Sequence, residues 1–200
     1  MVKKVLTDIH RYWFGELKSP TDMVPPEKMQ MWFRPTVEID NHIRDTFGKY
    51  LEAAKATEWD VSHLSREEQV GLLILLDQFP RQIYRESGQA FAYDAKAKAI
   101  ADELIKGGVE RFYRVEHTFV ILPLTHSEDI ADQDRSVWFS AGEAIAAPEA
   151  AKTGMRVSLD YAAKHRDIIR KFGRFPHRNV MLGRDSTPEE LEFLKGGRGF

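Results

Sequence analysis

Chemistry-bearing side chains concentrate in three stretches of the chain. From Tyr161 to Arg184 two histidines, His165 and His177, stand among Arg166, Arg170, Arg174, Arg178 and Arg184. At helical spacing, Met155, Leu159, Ala162, Arg166 and Ile169 share one stripe, and Tyr161, His165, Ile168 and Phe172 share the next, so Arg166 and His165 interrupt faces that are otherwise apolar. Leu72–Arg85 sets Asp77 after a wall of leucines. A carboxylate placed there is drawn into the core and persists only with partners that replace its lost hydration. Arg81, Arg85, Arg166, Arg174 and Arg178 are the partners the sequence offers, because a guanidinium fork matches a carboxylate in two parallel hydrogen bonds. Pro123–Trp138 contributes His126, Glu128 and Asp129. The three stretches are expected to converge on one polar, partly enclosed site made of Asp77, Arg81, Arg85, His126, Glu128, Asp129, His165, Arg166, Arg174, His177 and Arg178.

Those residue types allow several chemistries. As a binding cleft, Arg81, Arg166, Arg174 and Arg178 would take a carboxylate, a phosphate or an acidic peptide end. As a hydrolase, His126 or His165 would be the base, oriented by Asp129, Glu128 or Asp77. No Gly-x-Ser-x-Gly elbow, phosphate loop or dinucleotide fingerprint accompanies them, and Ser127 reads as a helix cap. His126, Asp129, His165, Asp167 and His177 are acceptable metal ligands by type, yet none falls in a ligand spacing such as His-Glu-x-x-His, so no metal or other cofactor is expected. The remaining account is a buried ion network that fixes helix register and takes no ligand.

The elements that must position these groups are helices. Val2, Val5, Leu6, Ile9 and Trp13 recur at spacings of three and four, and Gly15 stands where such a helix stops. Glu27–Phe33 makes a short helix. Thr36 to about Thr57 reads as one long one. Ser65-Arg66-Glu67-Glu68 is a capping box opening a helix to Phe79, where Pro80 weakens it. Helices follow over Gln89–Lys106 and Arg111–Leu122, the latter broken by Pro123. Thr125-His126-Ser127-Glu128 reads as a second capping box for a helix reaching Pro148, then Ala151–Phe172 runs to Gly173, and Thr187-Pro188-Glu189-Glu190 is a third capping box. Runs of period two are absent, so the expected architecture is all-α, antiparallel helix pairs in a single domain over residues 1–200.

Composition narrows the function classes. A formal charge of -2, with acids interleaved among the C-terminal basic residues, argues against a nucleic-acid footprint. The absence of cysteine removes disulfides and thiolate chemistry. The apolar run Val70–Leu76 is too short to span a bilayer, and no secretory signal opens the chain, so the expected location is cytoplasmic and no membrane partner is expected. Oligomeric state stays open, because Trp32, Phe33, Phe112 and Phe119 fit a core or an interface equally.

Leu75–Arg81 (Leu-Leu-Asp-Gln-Phe-Pro-Arg), His126–Asp129 with Ala131–Ser136, and His165–Asn179 resemble the motifs of the bacterial domain of unknown function 924 family, as do Trp13-Phe14-Gly15 and Gly183–Glu190. The resemblance covers nearly the whole chain in order. It implies an all-helical fold similar to tetratricopeptide-repeat superhelices, although that repeat's own sequence pattern is not legible here. It implies no activity and assigns no catalytic residue.

Overall fold

The computed structural model describes residues 2–197, and among them there is no strand. The helices are α1 (Lys3–Phe14), α2 (Pro26–Phe33), α3 (Val37–Phe47), α4 (Leu51–Ala56), α5 (Arg66–Leu73), α6 (Phe79–Ile83), α7 (Asp94–Lys106), α8 (Arg114–Thr125), α9 (Ile130–Ala146), α10 (Glu149–Phe172) and α11 (Pro188–Lys195). The fold class is therefore all-α, as its apolar periods require. No helix among the described residues is long and apolar enough to cross a membrane. The chain gathers into two compact units, Met1–Pro123 and Leu124–Phe200.

In the first unit α1 buries Leu6, Ile9, His10, Trp13 and Phe14, then stops at Gly15, whose φ of 79° suits a residue without a Cβ. It packs on α5 at backbone contact. A Cβ on Gly71 would stand 2.1 Å from the Leu6 carbonyl oxygen, so only glycine allows the approach. Around this contact Trp13, Phe14, Trp32 and Phe119 interlock, with Trp13 edge-on to Phe119 at 5.6 Å and Phe14 edge-on to it at 5.3 Å. Phe112 and Phe119 thus belong to the core, whereas Phe33 is largely exposed.

Prolines and glycines redraw several boundaries. The expected Thr36–Thr57 helix is divided by a 3-10 turn at Gly48–Tyr50. The segment after α5 does not end at Phe79. It widens into a π-turn over Ile74–Gln78, in which the Phe79 N–H reaches the Ile74 carbonyl, and continues as α6. In a regular α-helix the Pro80 ring would strike the carbonyl four residues back, and the wider turn moves that carbonyl aside. Gly88–Phe91 is a 3-10 turn, so α7 starts later than expected.

In the second unit α9 lies along α10, and a small apolar cluster of Ile168, Ile169 and Phe175, flanked by Phe172 and Phe193, holds the C-terminal end of α10. Gly173, at φ 68°, closes α10. The expected break at Pro123 does not occur, since α8 continues to Thr125 with the proline inside it. The expected capping box at Thr125 is likewise absent. Asp129 caps α9 by accepting from the Ala131 N–H, while Thr125 shares a 2.6 Å hydrogen bond with Ser136. Gln133 explains the shift: its amide donates to the carbonyls of Thr125 and Ser127 at 2.7 and 2.6 Å, tying down the end of α8. The other two capping boxes, at Ser65 and Thr187, form with both reciprocal hydrogen bonds.

Candidate functional site

Asp77 occupies the π-turn and is 1% exposed. Its main partner among the expected arginines is Arg81, whose guanidinium lies 3.5 Å from the carboxylate and donates to the Asp77 carbonyl at 2.6 Å. The same fork grips Asp94 through two 2.9 Å hydrogen bonds, and Gln78 donates to Asp77 at 2.5 Å. Arg85 is placed otherwise than expected. It pairs with buried Asp40 at 2.5 and 2.9 Å, from a helix forty-five residues earlier. Arg85 is thereby held above its ordinary value by the Asp40 hydrogen bond.

A second buried group in this unit was not anticipated. Glu116 is fully buried and accepts from His10 Nε2 at 2.5 Å, from Arg66 and from the Tyr113 N–H at 2.7 Å. Arg66 lies 3.5 Å over the Tyr113 ring. The signal available in the sequence was His10 itself, a polar residue on the apolar face that carries Leu6, Ile9 and Trp13.

In the second unit two arginine–carboxylate pairs fix the segment after α10. Arg184 grips Glu128 at 2.6 and 3.0 Å, and the Phe175 N–H donates to the same carboxylate at 2.8 Å. Burial would raise the Glu128 carboxyl, but these hydrogen bonds outweigh it and hold it below its ordinary value. Arg174 grips Glu190 at 2.7 and 2.8 Å. Hydrogen bonds from Arg174, with another from the Thr187 N–H, bring Glu190 down to about 2. Fully buried Asn179 joins the pairs, accepting from Arg184 at 3.0 Å and donating to Glu190 at 3.3 Å. Glu128 and Arg174 therefore act as a frame.

On that frame Phe175, fully buried, is ringed by cationic-type side chains. The Arg178 guanidinium lies 4.5 Å over its ring, His165 meets it at 5.5 Å and His177 at 5.7 Å. His165 is 2% exposed and its Nδ1–H donates to the Tyr161 carbonyl at 2.8 Å, which assigns the tautomer and leaves Nε2 as the acceptor nitrogen. Burial pushes His165 down to about 3, against the Tyr161 hydrogen bond and helped by repulsion from His126, Arg178 and His177. His126, His165, His177 and Arg178 thus form one electrostatic group, and the three of them other than His177 are buried.

Other expected residues stand apart from this group's chemistry. Asp129 is exposed, and its Oδ1 caps α9 by accepting from the Ala131 N–H. Arg166 lies 3.9 Å from Asp134 and 3.6 Å from Asp167. Ser127 accepts from the Asp129 N–H and donates to Asp132 at 2.8 Å, so it too is a structural hydroxyl. Among the described residues no group of three or more His, Asp or Glu side chains is disposed to hold a metal ion.

Residues 9–198 match the family described as bacterial protein of unknown function (DUF924). A solved structure of a protein of unknown function from Agrobacterium tumefaciens is similar at 32% sequence identity, with a TM-score of 0.80, over 98% of this chain and 100% of that one. Comparison with curated proteins finds no match.

Proposed function

The chain belongs to the bacterial DUF924 family, and from its own geometry we propose that it is a binding protein whose His126–His165–His177–Arg178 group takes the anionic end of a small molecule or an acidic peptide. The observation that carries the reading is the meeting of His165, His177 and Arg178 on buried Phe175, with His126 joining the other two in repelling a charge on His165. Arg178, with His177 and His126, can donate to one oxyanion together, while neutral His165, its Nδ1–H held by the Tyr161 carbonyl, lines the group without donating. In the frame beneath, Glu128 holds Arg184 and Glu190 holds Arg174, and Glu128 also feels the charge of Arg178. Such a frame presets the positions of the binding groups and lowers the ordering cost on association.

A role for His165 as catalytic base gains less support. A nitrogen held to about 3 is a hydrogen-bond acceptor near neutral pH, too weak to take a proton in the transition state. The rival account is a charge cluster that only sets how the C-terminal segment packs.

Thermal unfolding separates these accounts. In the presence of inorganic phosphate, acetate or a short poly-glutamate peptide at ~100 times its dissociation constant, the protein gains about 2.7 kcal/mol, an upward shift of roughly 5–11 °C. Arg178→Gln and His177→Ala abolish the shift, and Arg170→Ala, a change at an exposed side chain, leaves it intact. Anions that stabilise none of the proteins, or all of them equally, refute the binding reading and leave the packing role.

A further inference from the structure

α2 presents two chemistries to solvent side by side. At helical spacing Met29 and Phe33 form an apolar pair, and Gln30 and Arg34 form a polar pair beside it. These four residues line an open hollow of about 520 Å³, within the range of roughly 300–1,000 Å³ that small-molecule sites occupy. Met29 is 46% exposed and Phe33 67%. The opposite face holds the helix in place. Met31 is buried, the Trp32 indole N–H donates to the Trp13 carbonyl at 3.1 Å, and Lys28 donates to the Tyr12 carbonyl. The outward groups are therefore positioned by contacts they do not make themselves, which lowers the ordering cost for a molecule that binds there.

We infer that this hollow binds a small aromatic carboxylate, its ring on Met29 and Phe33 and its oxyanion on Arg34. The ring follows from the wall it meets. Phe33 stands edge-on to Trp32 at 6.2 Å and Trp32 edge-on to Phe119 at 4.8 Å, so Phe33 is the outermost member of an aromatic row that runs into the core. A further ring extends that row by the same edge-to-face geometry. The Met29 thioether adds a polarizable sulfur, which gains from an aromatic neighbour. The carboxylate follows from Arg34. Arg66, Arg81 and Arg85 each grip a carboxylate of the chain, whereas the Arg34 guanidinium makes no ion pair with any described residue. Glu38, four residues on, is held by the Thr36 hydroxyl instead. A guanidinium fork meets a carboxylate in two parallel hydrogen bonds, and the Gln30 amide beside it is a further donor. The site uses none of the residues of the histidine–arginine group, so it stands or falls independently of that reading.

The test uses the full chain with isotope-labelled methionine methyl groups, six reporters spread over the sequence, and compares naphthoate with the uncharged naphthamide by NMR. Naphthoate is expected to shift the Met29 methyl saturably, with a dissociation constant in the roughly millimolar range for a ligand held on one side. The methyls of Met155 and Met181, in the second unit, stay in place. Arg34→Gln is expected to weaken naphthoate by about 5-fold, the upper end of what an exposed ion pair contributes, and to leave naphthamide unchanged. Phe33→Ser weakens both, and an unmoved methyl of buried Met31 shows that the variant keeps its fold. If that methyl moves, Arg34→Gln decides alone. A Met29 methyl that does not respond, one that moves no more than those of Met155 and Met181, or an Arg34→Gln variant that binds the acid as the native protein does overturns the proposal.

Discussion

His165 gives the second unit a predictable response to acid. An unfolded histidine titrates near 6.5, whereas burial holds this one to about 3. Between those values the unfolded chain binds a proton that the folded chain refuses. Its contribution is therefore fully present above about pH 6.5 and is lost as pH falls from there toward 3. Integrating the two titrations, this one side chain costs about 2 kcal/mol of stability between pH 7 and pH 5, with a limiting slope of about 1.4 kcal/mol per pH unit. The groups facing it, His126, Arg178 and His177, act in the same direction as burial, and the Tyr161 carbonyl opposes it. The carboxylates that are lowered in the fold act in a different window. Glu190, brought down to about 2, loses its contribution only as pH drops below the usual range of a glutamate. The interval from pH 6.5 to 5 thus reports on histidine. Urea unfolding of the native protein and of His165→Asn, which keeps a donor near the Nδ1 position but cannot titrate, should give stability–pH profiles that diverge by about 2 kcal/mol over pH 7 to 5, the variant being the flatter. Parallel profiles would refute the reasoning, because a buried imidazole kept neutral in the fold has to release that difference.

Two further changes act in the first unit. Replacing Glu116 by Ala leaves Arg66 and His10 facing a hole in the core, and is expected to cost about 3–5 kcal/mol, seen as a fall in melting temperature on the order of 10 °C. Gly71→Ala forces a methyl to within 2.1 Å of the Leu6 carbonyl oxygen. It should push α1 off α5 and cost about 1–3 kcal/mol by denaturant unfolding, where an ordinary helical Gly→Ala change stabilises.

Interactions that close within one turn of chain were legible in the sequence. The capping boxes at Ser65 and Thr187 require only residues three apart and formed as read. The stop at Gly15 and the amphipathic face of α1 are similarly local. Thr125 and Asp129 were both chemically able to cap α9, and the choice fell to Asp129 because Gln133 ties the end of α8 in place. Glu128, read as the partner of that cap, instead meets an arginine fifty-six residues away. Arg85 belongs to Asp40 and Arg174 to Glu190, pairings that no period in the chain announces. Glu116 and His10 are separated by 106 residues, so either alone reads as a stray polar group in an apolar run.

The sequence by itself determined that this protein is helical and where most helices begin, because apolar spacing, caps and prolines act through neighbours a few residues apart. It also determined that certain charges had to go inside, Asp77 and His165 among them, since their faces are otherwise apolar. Tertiary structure alone decided which charge meets which, and whether an imidazole keeps its proton. Both depend on distance and desolvation in three dimensions, and a one-dimensional pattern records neither.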